Sequence, residues 1–220
     1  MSLPVVDPPA ERSGDSRVAG VLLAAGTSSR FGDANKLLAD VERETNPVDG
    51  AAADGDTTDG TPMVRRSAET LLAAGLDEVV VVLGHEADRV REALGGLDVS
   101  FVENPEFESG QASSVRAGVR ALGDVDAAVF ALGDMPYVAP DSVAALVAAH
   151  DADMGTALAA GCDGQRGNPV LFDSTHFPAL AERDGDIGGK QVLFAAEHAA
   201  IVETGDPGVL RDVDRPDEFA

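Results

Sequence analysis

The chain is predicted to fold as a single α/β domain, with a mostly parallel central sheet and helices on both faces. Three observations carry that expectation. The apolar runs are continuous rather than alternating, as in strands buried on both faces. Segments of helical periodicity separate them. A length of 220 residues suits one core.

The runs Val18–Ala24, Glu78–Leu83, 99–102 and Ala127–Leu132 supply the strands. Helical periods fall at 62–74, 87–94, 113–122 and 140–150, with proline at or near the start of the first and last. Residues 1–16, rich in Pro, Ser and charge, read as a flexible leader, with the folded domain spanning 17–220. The interval 41–61, "VERETNPVDGAAADGDTTDGT", has no apolar period and reads as an exposed acidic loop insertion.

Composition narrows the function classes. The formal charge of −23 argues against a nucleic-acid partner, because phosphate contacts need a basic surface. Such a charge is tolerable in concentrated salt, where the Debye length shrinks to about 3 Å at molar strength, so a halophilic setting is expected. No apolar run approaches the roughly 20 residues that span a bilayer, and the leader does not resemble a signal sequence, so a cytoplasmic protein away from membranes is expected. The single cysteine, Cys162, has no partner for a disulfide or a thiolate metal site. The four histidines lack the spacing of a zinc site.

Two stretches carry chemistry. In "VLLAAGTSSRFGDANKLL" the first strand breaks at Ala24, Ala25 and Gly26 into a loop bearing Arg30 and Lys36, and the chain has only two lysines in all. Small residues let backbone N–H groups approach a ligand closely, and phosphate is the natural guest. The spacing fits neither GxxxxGK[ST] nor GxGxxG, which disfavours the classical P-loop and dinucleotide folds, while the loop with Arg30 and Lys36 still reads as a polyphosphate site. In "VFALGDMPYV" Asp134 follows a central strand, where a carboxylate either holds Mg²⁺ with substrate phosphates or simply forms a turn before Pro136.

Taken in order, "LAAGTSSRFGDANKLL", "LGDMPYV", "RGNPVLF", "GDIGGK" and "DVDRPDEF" closely resemble the molybdenum cofactor cytidylyltransferases, within the MobA-like nucleotidyltransferases, over nearly the whole span from Val18 to Phe219. The resemblance implies a Rossmann-like nucleotidyltransferase fold and a Mg²⁺-dependent reaction. CMP would pass from CTP to the terminal phosphate of a molybdopterin-type cofactor, giving the cytosine dinucleotide cofactor and pyrophosphate. It further implies that Leu22, Ala24, Ala25 and Gly26 cradle the nucleotide, that Arg30 and Lys36 neutralise the triphosphate, and that Gly84, His85 and Ser114 lie along the nucleotide cleft with Asn104 and Ser113. Asp134 would ligate the metal together with Asp214, Asp212 being the rival. Arg166, Asn168, Pro169, Asp186, Gly188 and Gly189 would line the pterin side, near Lys190. A molybdenum hydroxylase apoenzyme is the partner this implies downstream.

Two departures from the family pattern stand out: Thr61 sits where a lysine is usual, and the acidic insertion precedes it. "LAAG" in place of "LAGG" favours the smaller base, because an extra glycine would leave room for a purine. The alternatives are a GTP-using or sugar- or alcohol-phosphate nucleotidyltransferase of the same fold, and a non-catalytic chaperone that delivers the cofactor to a hydroxylase.

Overall fold

A strand apolar at every position must be covered twice, and in the computed structural model of this chain the central strand is. The structure describes residues 3–27, 35–41, 60–182 and 189–213. Its strands are β1 (Val5–Val6), β2 (Val18–Ala24), β3 (Asp40–Val41), β4 (Thr61–Pro62), β5 (Glu78–Leu83), β6 (Ser100–Glu103), β7 (Ala127–Leu132), β8 (Ala157–Cys162), β9 (Gln165–Asp173) and β10 (Ala199–Glu203). The helices are α1 (Met63–Ala73), α2 (Ala87–Ala93), α3 (Gln111–Ala121), α4 (Pro140–Asp151), α5 (Phe177–Ala181) and α6 (Lys190–Ala195).

Eight strands form one sheet in the order β1-β10-β8-β9-β7-β2-β5-β6, and β3 pairs with β4 as a separate ladder. Every neighbouring pair in the large sheet is parallel except those made by β9, which runs antiparallel to both β7 and β8. All strands but β9 therefore point one way, and the carboxyl ends of β2, β5 and β7 gather at one edge.

Alternation along β2 divides the core. Leu22 and Ala24 pack with Val64 and Leu71 of α1, Val90 of α2 and Leu146 of α4. Ala19, Val21 and Ala25 pack on the opposite face with Val115 of α3, Leu180 of α5 and Leu193 of α6. Helix α1 presents Met63, Val64, Ser67, Ala68 and Leu71 at three- and four-residue spacing, one continuous buried stripe. Among the described residues no helix is long and apolar enough to cross a membrane.

Three expectations are corrected. The leader is not loose throughout: Val5 and Val6 pair in register with Ile201 and Val202, and Arg12 and Ser16 both bond to Asp151 at the end of α4. A two-residue strand carries no period, so composition alone concealed it. The ends of the acidic insertion are structured, since Val41 is buried and pairs with Thr61, while residues 42–59 lie outside the described part. The run at 99–102 is β6, shifted by one residue, and it is an edge strand with Phe101 exposed rather than a strand covered twice.

Candidate active site

A cavity of about 530 Å³ opens where β2 and β7 end. Its floor is Leu23 and Leu132, and Ala25, Gly26 and Thr27 form one wall directly after β2. The start of α3 supplies Gly110, Gln111 and Ser114, with Phe107 and Glu108 just before it. No side chain caps the first N–H groups of α3. A helix start of this kind favours negative charge, which suits a phosphate-bearing guest.

Lys36 enters from a short 3-10 turn, Lys36–Leu38. Asn35 caps that turn, its Oδ1 accepting from the Leu37 N–H at 3.1 Å, and Leu37 is buried beneath it. The Met63 N–H, at the start of α1, donates to the Ala39 carbonyl at 2.9 Å and fixes the turn's far end. The lysine is thus held by its neighbours, with its side chain directed to the cavity.

The Lys36 ammonium donates to Asp134 Oδ2 at 2.6 Å, and the pair is mostly buried, with 15% and 20% of the two side chains exposed. A short charge-assisted bond of this kind is among the stronger side-chain contacts. Lys36 Nζ also lies 3.3 Å from the Val213 carbonyl, whose own N–H donates to the Asp134 carbonyl at 3.0 Å. Asp134 follows Gly133 for a steric reason: a Cβ at that glycine would lie 3.2 Å from both the Leu23 carbonyl oxygen and Leu37 Cδ2. A side chain there would have to push these neighbours back by a few tenths of an ångström, so glycine suits the close approach of the end of β7 to β2 and the lysine turn.

Asp134 Oδ1 is buried and has no hydrogen-bond partner. An orphaned carboxylate oxygen, on a residue that lines a cavity large enough for a nucleotide, fits a hard divalent cation that draws its remaining ligands from substrate phosphates and water. Among the described residues no group of three or more His, Cys, Asp or Glu could hold a metal without such help. Asp214 lies outside the described residues; Asp212 is exposed and does not line the cavity, while Val213 between them is buried.

The other expected residues sort by strand parity. Leu22 and Ala24 do not face the cavity. Both are fully buried on the α1 side of the sheet, and it is Leu23, Ala25 and Gly26 that line the site. Gly84 backs the wall, since a Cβ there would lie 2.7 Å from the Ala25 carbonyl oxygen. His85 stands outside the cavity lining, its Nε2 3.8 Å from a Glu86 carboxylate that Arg89 holds below the usual carboxylate range. Ser114 does line the cavity. Asn104 and Ser113 act as braces: the Asn104 amide donates to the Ser113 and Ser114 hydroxyls at 2.8 and 3.1 Å, and its Oδ1 accepts from the Glu106 N–H.

A second cavity of about 160 Å³ adjoins the first across Leu23, Gln111 and Leu132. It contains Arg166, Asn168, Gly189 and Lys190, together with Phe130 and Phe172. Pro169 does not line it, because alternation along β9 turns that residue toward Val138 and Val143 on the sheet's other face. Arg30, Asp186 and Gly188 lie outside the described residues. Sequence reasoning missed Thr27, Phe107, Glu108, Gly110 and Gln111. The one available signal was the glycine of "ESGQASSV", which stands where a helix begins.

Comparison with known proteins agrees with this architecture. Residues 20–201 match the family model of the MobA-like NTP transferase domain. The chain is similar to the nicotine blue oxidoreductase of Paenarthrobacter nicotinovorans, 29% identical over 92% of this chain and 94% of that one. It is as similar to the purine catabolism protein PucB of Bacillus subtilis, 29% identical over 91% and 93%. A protein of Natronomonas pharaonis named "Probable molybdenum cofactor guanylyltransferase" is 32% identical over 56% of this chain and 52% of its own length. Among solved structures, Rv0371c of Mycobacterium tuberculosis H37Rv superposes with a TM-score of 0.70 at 27% identity, covering 93% of this chain and 96% of that one. Its complex with manganese gives 0.68 at 26% identity over the same shares. The names of the relatives span an oxidoreductase, a purine catabolism protein and a guanylyltransferase, so the reaction has to be argued from the site.

Proposed function

We propose that this chain, which belongs to the MobA-like NTP transferase family, moves the nucleotidyl group of CTP onto the terminal phosphate of a molybdopterin-type molybdenum cofactor and releases pyrophosphate. The observation that carries this reading is the Lys36–Asp134 pair, with the unpartnered Oδ1 of Asp134, in the lining of a cavity sized for a nucleotide. Its neighbour, with Arg166 and Lys190, offers positive charge to a second anionic substrate in an otherwise strongly acidic molecule.

An oxygen of the acceptor phosphate forms the new bond to the α-phosphorus, and the bond from that phosphorus to the bridging oxygen breaks, its electron pair leaving with pyrophosphate. The acceptor is already ionised, so no general base is required. The protein's work is alignment and charge compensation. Lys36 would lie along the α-phosphate, the open start of α3 would receive phosphate or ribose oxygens, and the wall at Ala25 and the floor at Leu132 would exclude water. Asp134, with Asp214, would hold Mg²⁺, which supplies Lewis-acid stabilisation of the phosphoryl oxygens when bound.

For the base, Ala25 supports CTP. Ala25 lines the cavity and Gly84 packs against its methyl group, so the wall there is closer than a glycine at this position would leave it. The guanylyltransferase among the relatives favours GTP as the second reading. The test is pyrophosphate release and product mass with each of the four nucleoside triphosphates, the isolated cofactor and Mg²⁺. Turnover at least about tenfold faster with CTP than with GTP is expected, and Asp134→Asn should lower kcat by about a hundredfold. Preference for GTP moves the assignment to the second reading. Binding of the cofactor without pyrophosphate release from any nucleotide overturns the enzyme reading in favour of cofactor delivery.

A further inference from the structure

We infer that Lys36 closes Asp134 to divalent cations while the nucleotide is absent, so that cation and triphosphate must arrive together. This rests on the nucleotidyltransferase reading of the same cavity. The ammonium occupies Oδ2 at 2.6 Å and is steadied by the Val213 carbonyl at 3.3 Å. The other carboxylate oxygen, Oδ1, is the buried and unpartnered one. A dication arriving there would share one carboxylate with the lysine and stand within a carboxylate's width of a like charge, in a site where 15% and 20% of the two side chains meet water.

Among the described residues Glu108 is the one other acidic side chain lining the cavity, and no group of three or more His, Cys, Asp or Glu is placed to hold a metal against that repulsion. A triphosphate does offset it, by drawing the ammonium onto its own oxygens and offering others to the cation. The lysine thus substitutes for the cation in the empty site. Its departure couples the two binding events, and such coupling is reciprocal by linkage.

The experiment is a Mn²⁺ titration of the full-length, nucleotide-free protein, followed by the electron paramagnetic resonance signal of free Mn²⁺, in enough KCl to suppress binding to the acidic surface. Wild type, Lys36→Gln, Asp134→Asn and the double variant are compared. Lys36→Gln should bind one Mn²⁺ at least about tenfold more tightly than wild type, and Asp134→Asn in the same chain should abolish that gain. If Lys36→Gln fails to fold by circular dichroism, Lys36→Met, which keeps the apolar stem, takes its place. An affinity equal to wild type, or a gain that survives Asp134→Asn, overturns the inference. No turnover is needed, so failure here is separable from failure of the assigned reaction, which shows as absence of pyrophosphate release.

Discussion

The guanidinium carbon of Arg211 lies 3.8 Å from the centre of the Tyr137 ring, and this stack ties together the two segments that meet at Asp134. Tyr137 ends the turn that begins at Gly133. Arg211 leads into Val213, whose N–H bonds the Asp134 carbonyl. Asp206 adds a second tie, accepting from the Ala139 N–H and the Ser142 hydroxyl at 2.9 and 2.7 Å. A cation–π contact of this kind contributes about 0.5–2 kcal/mol. Arg211→Ala should therefore lower kcat about three- to tenfold with little change in the KM for nucleotide, and Arg211→Lys should restore part of it. Tyr137→Phe keeps the ring face and should match wild type. Steady-state kinetics of the three variants check this, and wild-type kcat in Arg211→Ala would remove the strap from the mechanism.

A third tie lies at the opposite edge of the sheet, where Arg12 Nε donates to Asp151 Oδ2 at 2.6 Å and the Ser16 hydroxyl takes Oδ1. Burial opposes the charge on Asp151, but the bonds from Ser16 and Arg12 outweigh it and hold its pKa below the usual value. The folded state therefore binds the proton less readily than the unfolded one. The resulting stability is present above the ordinary pKa of 3.8 and is lost as pH falls through the lower folded value. Arg12→Ala should cost about 1 kcal/mol after allowance for the arginine's exposure, or about 2–4 °C in Tm. Melting curves should show that deficit near neutral pH and its disappearance in acid below the carboxylate's titration. A deficit unchanged in acid would mean that packing, and not the ion pair, holds the leader.

The sequence made the central strands legible because burial on both faces leaves an unbroken apolar run, as in Val18–Ala24 and Ala127–Leu132. It concealed β8, where "ALAAGC" is too rich in small residues to read as a strand, and β9, where Gly167 and Pro169 interrupt the run. The chemistry of the loop and of the strand end identified Lys36 and Asp134 individually, but their contact joins residues 98 apart and only the fold displays it. Resemblance also carries no parity. It offered Leu22, Ala24 and Pro169 along with their neighbours, and the twofold alternation of strands turned those three away from the cavities. Phe107 and Gln111 line the site with side chains that bear no chemical signature, so nothing in the sequence singled them out.

The net charge of −23 makes a prediction about solvent. If the acidic surface is an adaptation to salt, screening should relieve carboxylate repulsion more than it weakens the few ion pairs. Tm should then rise by about 5 °C or more between 0.1 M and 2 M KCl, most of it over the range in which the Debye length falls from about 10 Å toward 3 Å. Scanning calorimetry across a KCl series is the measurement. A flat or falling Tm would remove the halophilic reading and leave the charge to some local role.

The last prediction concerns what Lys36 does once it leaves Asp134. As the bond to pyrophosphate breaks, negative charge grows on the leaving oxygen and the α-phosphoryl group. A group that meets that charge acts on the transition state more than on the bound substrate. Lys36→Ala should therefore lower kcat about a hundredfold or more while raising the KM for CTP only a few fold. Lys36→Arg should rescue part of the loss. A guanidinium keeps the charge, but it is planar and bulkier than an ammonium, and the turn is fixed by Asn35 and buried Leu37, leaving little room to retract it. Lys190→Ala is the control: that residue lines the second cavity, so its loss should weaken the acceptor's apparent affinity and leave the KM for CTP unchanged. An enzyme in which Lys36→Ala raises the KM for CTP at constant kcat would make the lysine a ground-state clamp, with the transition-state charge met elsewhere.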